Sequence, residues 1–230
     1  SIDRLSENYF GILQRIKCAA NKVGLEASDI QLVAVTKYVD AEVIRSLYEL
    51  GCRRFGESRP QALWQKSEEL KGCEIEWHMI GHLQTNKVRR TLPCVSLLHS
   101  GDSLKLLELI NAESKRNGRV SEVLCEVNIS GDRNKHGFHP EQILDGLVTA
   151  GELDHIRIKG LMAMASGSGG LSQTIDDFKK MQSLRNDLSG QVPEKISLDK
   201  LSMGMSRDFE TAIEYGATLV RVGSRLFEGI

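Results

Sequence analysis

The sequence predicts a single α/β domain folded as a closed (β/α)8 barrel of the TIM type, with an extra helix at its N-terminal end. Eight short segments rich in apolar and β-branched residues alternate with amphipathic helical segments. The 230 residues are slightly fewer than the ~250 typical of this barrel. No linker or shift in composition divides the chain, so residues 1–230 are expected to form one domain.

The strand candidates follow one another along the whole chain, each bounded by turn or helical residues. They are residues 30–38, 53–58, 76–81, 96–100, 122–129, 156–164, 200–204 and 218–223. Because parallel strands need a crossover connection, their alternation with helices favours a parallel sheet. An open doubly wound sheet is the alternative, but no GxGxxG motif follows the first strand.

The helix candidates lie between the strands and carry apolar stripes at helical spacing. They are residues 41–50, 103–117, 140–150, 174–188 and 208–215, preceded by an N-terminal helix over roughly residues 2–23. No full helix is expected after the eighth strand, and the N-terminal helix could cover that side of the barrel. The segment SGSGG, residues 166–170, is expected to be a mobile loop after the sixth strand.

Composition and charge exclude several classes of function. The formal net charge of −1 gives no support for binding nucleic acid or an anionic membrane. The five cysteines are odd in number and form no CxxC pair, which argues against a disulfide framework or a zinc knuckle. The N-terminal segment has no signal-peptide apolar core, and no apolar run reaches membrane-spanning length. We therefore expect a reduced, cytoplasmic protein.

Lys37 is the first candidate for chemistry, because it ends the apolar run of the first strand. By alternation it shares a face with Val33 and Val35, and the active site of such a barrel lies at the carboxyl ends of the strands. Among apolar groups its pKa would fall, exposing a neutral amine that can form an imine with a carbonyl compound. The alternative is a lysine that extends from a strand end into solvent.

A phosphate site is the second candidate. Ser206 precedes the helix predicted at 207–215, where it is a natural N-cap, and Gly223 and Ser224 follow the eighth strand. The loops after strands seven and eight of a barrel frequently bind phosphate through backbone N–H groups. Ordinary turn chemistry is the alternative, since serine and glycine are common in any loop.

Arg221 lies on the same face of the eighth strand as Leu219 and Gly223, and a buried guanidinium needs a partner. That partner could be a carboxylate or the aromatic nitrogen of a ligand. A reactive lysine, a phosphate cradle and an inward arginine together fit a ligand with an aldehyde, a phosphate and a pyridine nitrogen. Pyridoxal 5′-phosphate is such a ligand.

Two other groups of residues could carry a function. His78 and His82 could share a strand face as a metal pair, but no third ligand stands at a recognisable spacing, which disfavours zinc. Lys135, His136 and Gly137 follow the fifth strand in a loop that could close over a cofactor or be a plain turn.

Long motifs at successive strand ends resemble the pyridoxal-phosphate homeostasis (YggS/PROSC) family, from about residue 30 to 227. They are LVAVTK, FGES, WHMIGHLQTNK, VNISGDRNKHGF, KGLMAM, LSMGMSRDFETAI and VRVGSRLF. The resemblance implies a barrel similar to the N-terminal domain of alanine racemases. It also implies that pyridoxal 5′-phosphate is held as an imine and that its intracellular level is regulated.

The resemblance implies a role for each matching residue. It makes Lys37 the lysine of the imine and Arg221 the partner of the pyridine nitrogen. The cradle and ring positions are Ser206, Gly223, Ser224 and Met203. Two departures from the family pattern are visible: Ser58 and Arg59 replace its Asn-Tyr pair, and Glu228 replaces a glycine near the end.

The predicted function is to hold the cofactor without clear turnover of its own, with apo-enzymes that use this cofactor as possible partners and a monomer favoured. One alternative is a small amino-acid racemase. That activity needs a second acid/base opposite Lys37, and Tyr38 should point the other way. A cofactor-free aldolase that uses Lys37 is the second alternative.

Overall fold

Eight parallel strands form a closed barrel in the computed structural model, which describes residues 1–166 and 169–230. The strands are β1 (Gln31–Val35), β2 (Arg54–Glu57), β3 (Glu76–Met79), β4 (Leu97–Gly101), β5 (Ser121–Glu126), β6 (Ile156–Met162), β7 (Lys200–Ser202) and β8 (Leu219–Val222). Each strand pairs with the next in the chain, and β8 pairs with β1, with Val33 opposite Arg221. The predicted barrel is confirmed.

Helices surround the strands, as the sequence predicts. They are α1 (Ile2–Lys22), α2 (Ala41–Glu49), α3 (Pro60–Glu69), α4 (Val88–Thr91), α5 (Leu104–Arg116), α6 (Ile143–Ala150), α7 (Gly170–Ser189) and α8 (Phe209–Glu214). Neither α3 nor α4 was among the predicted helices; α3 buries only Pro60 and Leu63, so its apolar stripe is weak. The predicted loop at 166–170 includes residues 167–168, which lie outside the described residues. Among the described helices, none is both long and apolar enough to cross a membrane.

Helix α1 occupies the side of the barrel that lacks a helix after β8, as predicted. It packs against α8 and α2. The Asn8 side chain donates hydrogen bonds to the carbonyl oxygens of Leu226 (3.1 Å) and Glu228 (3.0 Å). Arg15 on the same helix pairs with Glu210 on α8 through two contacts of 2.7 and 2.6 Å. The N-terminal and C-terminal segments of the barrel are thus joined directly.

The barrel interior is divided between apolar and polar side chains. The apolar cluster is formed by Val33, Leu97, Leu124, Met162 and Leu219. Strand alternation also turns polar residues inward from β3, β4, β7 and β8. These form a connected chain, which we call the interior polar chain: His78, His99, Ser202 and Arg221.

Hydrogen bonds connect each member of the interior polar chain to the next. His78 Nδ1 lies 2.9 Å from His99 Nε2, and His99 Nδ1 lies 2.8 Å from Ser202 Oγ. Arg221 donates to the same hydroxyl. Burial lowers the pKa of His78 to about 3 and holds the pKa of His99 well below its usual value, because desolvation disfavours the imidazolium form. Both imidazoles are therefore neutral at pH 7.

Candidate functional site

A cavity of about 850 Å³ opens at the carboxyl ends of the strands, where the loops after β1, β6, β7 and β8 meet. The predicted site residues that line it are Lys37, Ser206, Arg221, Gly223 and Ser224. The volume is in the range of small-molecule sites, and the position is that of the active site in barrels of this type.

Lys37 stands two residues beyond the end of β1 and is exposed. Its Nζ lies 4.6 Å from the centre of the Tyr38 ring, and Tyr38, with 85% of its surface exposed, lines the same cavity. The exposure of Lys37 agrees with the alternative of a lysine that extends from the strand end into solvent, and the expectation that Tyr38 points away from it was wrong. The physical reason is that β1 ends at Val35, so the strict alternation of a strand no longer applies at residues 37 and 38.

A buried network fixes the residue before Lys37. The Thr36 hydroxyl donates to Glu57 Oε1 at 2.6 Å. Lys66 on α3 donates to the Thr36 carbonyl oxygen at 2.7 Å and to Glu57 Oε1 at 2.5 Å. This network was not predicted, because α3 was not among the predicted helices; its signal in the sequence is the carboxylate that ends the FGE run of β2. The network holds the end of β1 in place beneath the exposed lysine.

Ser206 faces the loop after β8, but it does not cap α8. Its Oγ accepts hydrogen bonds from the backbone N–H groups of Gly223 (3.2 Å) and Arg225 (3.5 Å). The predicted N-cap role is wrong, because α8 begins at Phe209 and Asp208 takes the capping position. Two backbone donors thus converge on one oxygen at the cavity wall.

Gly223 stands where a side chain would crowd the neighbouring strand. A Cβ atom there would lie 3.0 Å from the carbonyl oxygen of Val35 and 3.1 Å from its Cβ, both on the neighbouring strand β1. The backbone of the β8 loop can therefore approach β1, and a ligand, closely. Ser224, the next residue, is exposed and lines the cavity.

Arg221 is buried in the barrel and reaches the cavity from below. Its guanidinium donates to the carbonyl oxygen of Ala163 at 3.1 Å and to the Ser202 hydroxyl. Burial lowers the pKa of Arg221 to about 10, while the charges of Glu126 and Asp208 act in the opposite direction. Arg221 points into the barrel, one of the two orientations that the sequence left open. Its direct hydrogen-bond partners in the described part of the chain are the Ser202 hydroxyl, the Ala163 carbonyl oxygen and the Met164 sulfur, which lies 3.1 Å away.

Glu126 ends β5 on the inner face of the barrel. Burial raises the pKa of this carboxyl to about 7, and the charge of Asp102 raises it further, whereas Arg221 lowers it. Glu126 was not among the predicted site residues. The signal was available, since strand alternation places Glu126 on the same face as Leu124.

Met203 lies apart from the other predicted residues. It is 0% exposed and packs in the core between strands and helices, and the described lining of the cavity does not include it. Ser58 and Arg59 likewise lead into α3 outside the described lining. Glu228 contributes its carbonyl oxygen to the contact with α1.

The two histidines weighed as a metal pair are separated. His78 belongs to the interior polar chain, whereas His82 lies beyond β3 and contacts Asp102 at 2.9 Å. Alternation ends with β3 at Met79, so the two rings do not share a face. In the loop after β5, Lys135 donates to the carbonyl oxygen of Ala165, which lines the cavity, at 3.4 Å.

The fold and the cavity define the class of protein: a (β/α)8 barrel with a small-molecule cavity at the carboxyl ends of its strands. Lys37, Arg207 and Arg221 supply positive charge around the cavity, and the N–H groups that meet at Ser206 suit an anion.

Comparison with known proteins gives the family. Residues 12–229 match the family model of the alanine racemase N-terminal domain. The chain is 38% identical to a protein of Aquifex aeolicus named pyridoxal phosphate homeostasis protein, over 94% of both chains. It is 36% identical to the human protein of that name, over 88% of this chain and 78% of the human one. The chain belongs to the pyridoxal phosphate homeostasis protein family.

Solved structures agree with this assignment. PipY of Synechococcus elongatus, described with PLP bound, is 33% identical with a TM-score of 0.82, over 94% of this chain and 99% of PipY. An unknown protein from Bifidobacterium adolescentis gives a TM-score of 0.91 at 33% identity, over 98% and 95% of the two chains. An alanine racemase of Clostridium difficile, 18% identical with a TM-score of 0.75, shares the fold over 98% of this chain and 56% of its own.

Proposed function

We propose that this protein binds pyridoxal 5′-phosphate in the barrel cavity and contributes to the control of its intracellular level. The observation that carries the proposal is the meeting of Lys37, the Ser206–Gly223 contact and Arg221 around one cavity. The family membership and the PLP-bound structure of PipY support it. When bound, this cofactor supplies an aldehyde that condenses reversibly with a lysine amine, together with an anionic phosphate and a pyridine ring.

The residues of the cavity fit such a group. Lys37 provides the only kind of side chain that can form the covalent link, and its exposure leaves the amine accessible. Ser206, Gly223 and Ser224 provide hydroxyl and backbone donors for the phosphate, at a point where two N–H groups already converge. Arg221 reaches the cavity from the barrel interior and would face the ring nitrogen. Met203 would not contact the cofactor directly but would pack behind the residues that line the cavity.

The position of Arg221 also favours binding of the cofactor without catalytic turnover. A guanidinium beside the ring nitrogen disfavours protonation of that nitrogen, and carbanion chemistry through the ring depends on such protonation. A racemase additionally needs an acid/base on the face of the ring opposite Lys37. Tyr38 lies beside Lys37, so it does not by itself supply an opposite face.

The first test is the visible absorption spectrum of the purified protein, before and after borohydride reduction, with peptide mass mapping. We expect a yellow band that reduction fixes onto the Lys37 peptide. Lys37→Ala should lose the band, whereas Lys17→Ala, on the exposed side of α1, should keep it. A colourless protein that gains no band with added cofactor would refute the proposal and return the aldolase alternative to first place.

The proposal includes a monomeric protein of one domain, located in the cytoplasm, that hands its cofactor to apo-enzymes. In the described part of the chain the five cysteines are all free thiols, as expected in a reducing compartment. Light scattering after gel filtration tests the monomer. Transfer is tested by mixing the loaded protein with an apo-enzyme that needs the cofactor: activation faster than free release allows supports direct delivery.

A further inference from the structure

Three metal-ligating side chains from different loops meet beside the cofactor cavity. Asp102 Oδ2 lies 2.9 Å from His82 Nδ1 and 3.8 Å from His136 Nδ1. The two imidazole rings are stacked, with centroids 3.8 Å apart and planes 8° apart. The three potential donor atoms all lie within 4.8 Å of one another. We call this group the mouth triad.

We propose that the mouth triad binds a divalent transition-metal ion of the Zn²⁺ class. Two imidazole nitrogens and one carboxylate oxygen are ligands that such ions prefer. In a tetrahedral site with bonds of about 2.1 Å, donor atoms stand about 3.4 Å apart. The observed separations of 2.9 and 3.8 Å bracket that spacing. Because the rings are stacked and their Nδ1 lone pairs lie in parallel planes, binding would require the two rings to rotate away from parallel so that both nitrogens point at the ion.

Hydrogen bonding alone does not account for the arrangement. His82 makes a hydrogen bond to Asp102, but the 3.8 Å separation of His136 Nδ1 from the same oxygen is too long for one. The second imidazole nitrogen thus faces a carboxylate oxygen without bonding to it. A cation between the three atoms would be coordinated by all of them, with each ring keeping its proton on Nε2.

The surroundings leave room for the remaining coordination positions. His82 and His136 are both exposed, whereas the side chain of Asp102 is 9% exposed, so the carboxylate is held while both histidines stay open to solvent. A separate cavity of about 420 Å³ includes His82 and Asp102 in its lining. Water can therefore complete the coordination of an ion that has three protein ligands.

The ion would join three neighbouring parts of the barrel mouth. His82 follows β3, Asp102 follows β4, and His136 belongs to the loop after β5. In that loop Lys135 contacts the carbonyl oxygen of Ala165 at the edge of the cofactor cavity. Metal binding would thus brace the loop against β3 and β4. The proposal does not depend on the cofactor, since the described lining of the cofactor cavity includes none of the triad.

The test is calorimetric titration of Zn²⁺ into the full, metal-stripped protein, with the shift in melting temperature as a second readout. We expect one ion per chain and a higher melting temperature. His136→Gln and Asp102→Asn should each weaken binding at least tenfold. His139→Gln, an exposed histidine three residues from His136, is the matched control and should bind as the wild type does.

Two results would overturn the proposal. One is the absence of stoichiometric binding to the wild type. The other is equal binding by His136→Gln and His139→Gln, which would place the ion elsewhere, for example on the exposed thiol of Cys18. His136 lies in an exposed loop, so its variant tests the site even if Asp102→Asn unfolds the protein. Lys37→Ala should bind Zn²⁺ as the wild type does. Loss of cofactor binding and loss of metal binding can therefore be told apart.

Discussion

Lys66 on α3 and Glu57 at the end of β2 form a buried ion pair, with Nζ 2.5 Å from Oε1. Glu57 is 1% exposed, and its second oxygen finds no hydrogen-bond partner among the described residues. The same ammonium group donates to the carbonyl oxygen of Thr36, immediately before Lys37. One lysine therefore neutralises a buried carboxylate and also fixes the backbone that carries the proposed attachment residue.

Replacing Lys66 by methionine should destabilise the protein by about 3–5 kcal/mol, because it leaves the Glu57 carboxylate buried without its cation. Urea unfolding measures the change in the free energy of unfolding. Lys71→Met is the control: Lys71 pairs with Glu68 at 3.3 Å but is exposed, so about 0.5 kcal/mol or less is expected. The double variant Glu57→Leu/Lys66→Met should recover much of the loss. Equal effects of the two single variants would contradict the assignment.

Ser206→Ala should weaken binding of pyridoxal 5′-phosphate by roughly 10- to 150-fold, since a hydrogen bond to a charged group contributes roughly 1.5–3 kcal/mol. Binding of pyridoxal, which lacks the phosphate, should not change. Fluorescence titration with both ligands measures the difference, and Ser189→Ala, on the exposed end of α7, is the control. An equal loss for both ligands would mean that the substitution distorts the cavity rather than removing a phosphate contact.

Gly223→Ala should lower the free energy of unfolding by about 1–3 kcal/mol and weaken cofactor binding, because the added Cβ would be forced against Val35 on β1. Thermal unfolding and ligand titration check the two effects. Gly190→Ala provides the comparison, since a Cβ at Gly190 meets nothing within 4 Å. If the two variants lose the same free energy of unfolding, the close approach of β8 to β1 does not explain the glycine at position 223.

The buried, neutral state of His78 should make stability fall with acidification. Its folded-state pKa of about 3 is below the roughly 6.5 of an unfolded histidine, so between these values only the unfolded chain takes up the proton. The contribution of His78 to the free energy of unfolding is fully present above pH ~6.5. Below that pH it decreases by about 1.4 kcal/mol per pH unit. Glu126, with its raised pKa, acts in the opposite direction between its ordinary value of 4.5 and about 7.

Comparison of the wild type with His78→Gln therefore isolates the histidine. The variant should lose less stability between pH 7 and roughly pH 5 than the wild type does, as measured by denaturant unfolding at each pH. His139→Gln, at an exposed position, should follow the wild-type profile. Parallel profiles for wild type and His78→Gln would show that His78 already binds a proton in the folded state.

The sequence predicted the barrel well because each strand is a local pattern and the closed topology follows from their alternation. It also predicted that Lys37, Ser206, Arg221 and Gly223 meet, since each stands at or beyond a strand end on the same edge of the sheet. For Arg221, alternation along β8 grouped it with Leu219 and Gly223 but left open which face points inward, and the structure places it inside the barrel.

The failures lie where a strand ends. Tyr38 was assigned a direction by an alternation that stops at Val35, and the seventh strand, predicted over residues 200–204, ends at Ser202. The interior polar chain and the mouth triad each draw on three or more separate segments. Their contacts depend on the register between strands and on loop conformation, which no local pattern encodes.

The contact between Asn8 and Leu226 spans 218 positions of the chain. A ribosome adding about 5–20 residues per second needs roughly 10–40 s to make the residues between them. During that interval the apolar face of α1 has been synthesised but α8 and the C-terminal turn that cover it have not. Helix α2 is made early and can pack on part of this face, but the part of α1 that contacts α8 stays uncovered until translation of the barrel is nearly complete. A chaperone would be expected to bind the nascent chain there.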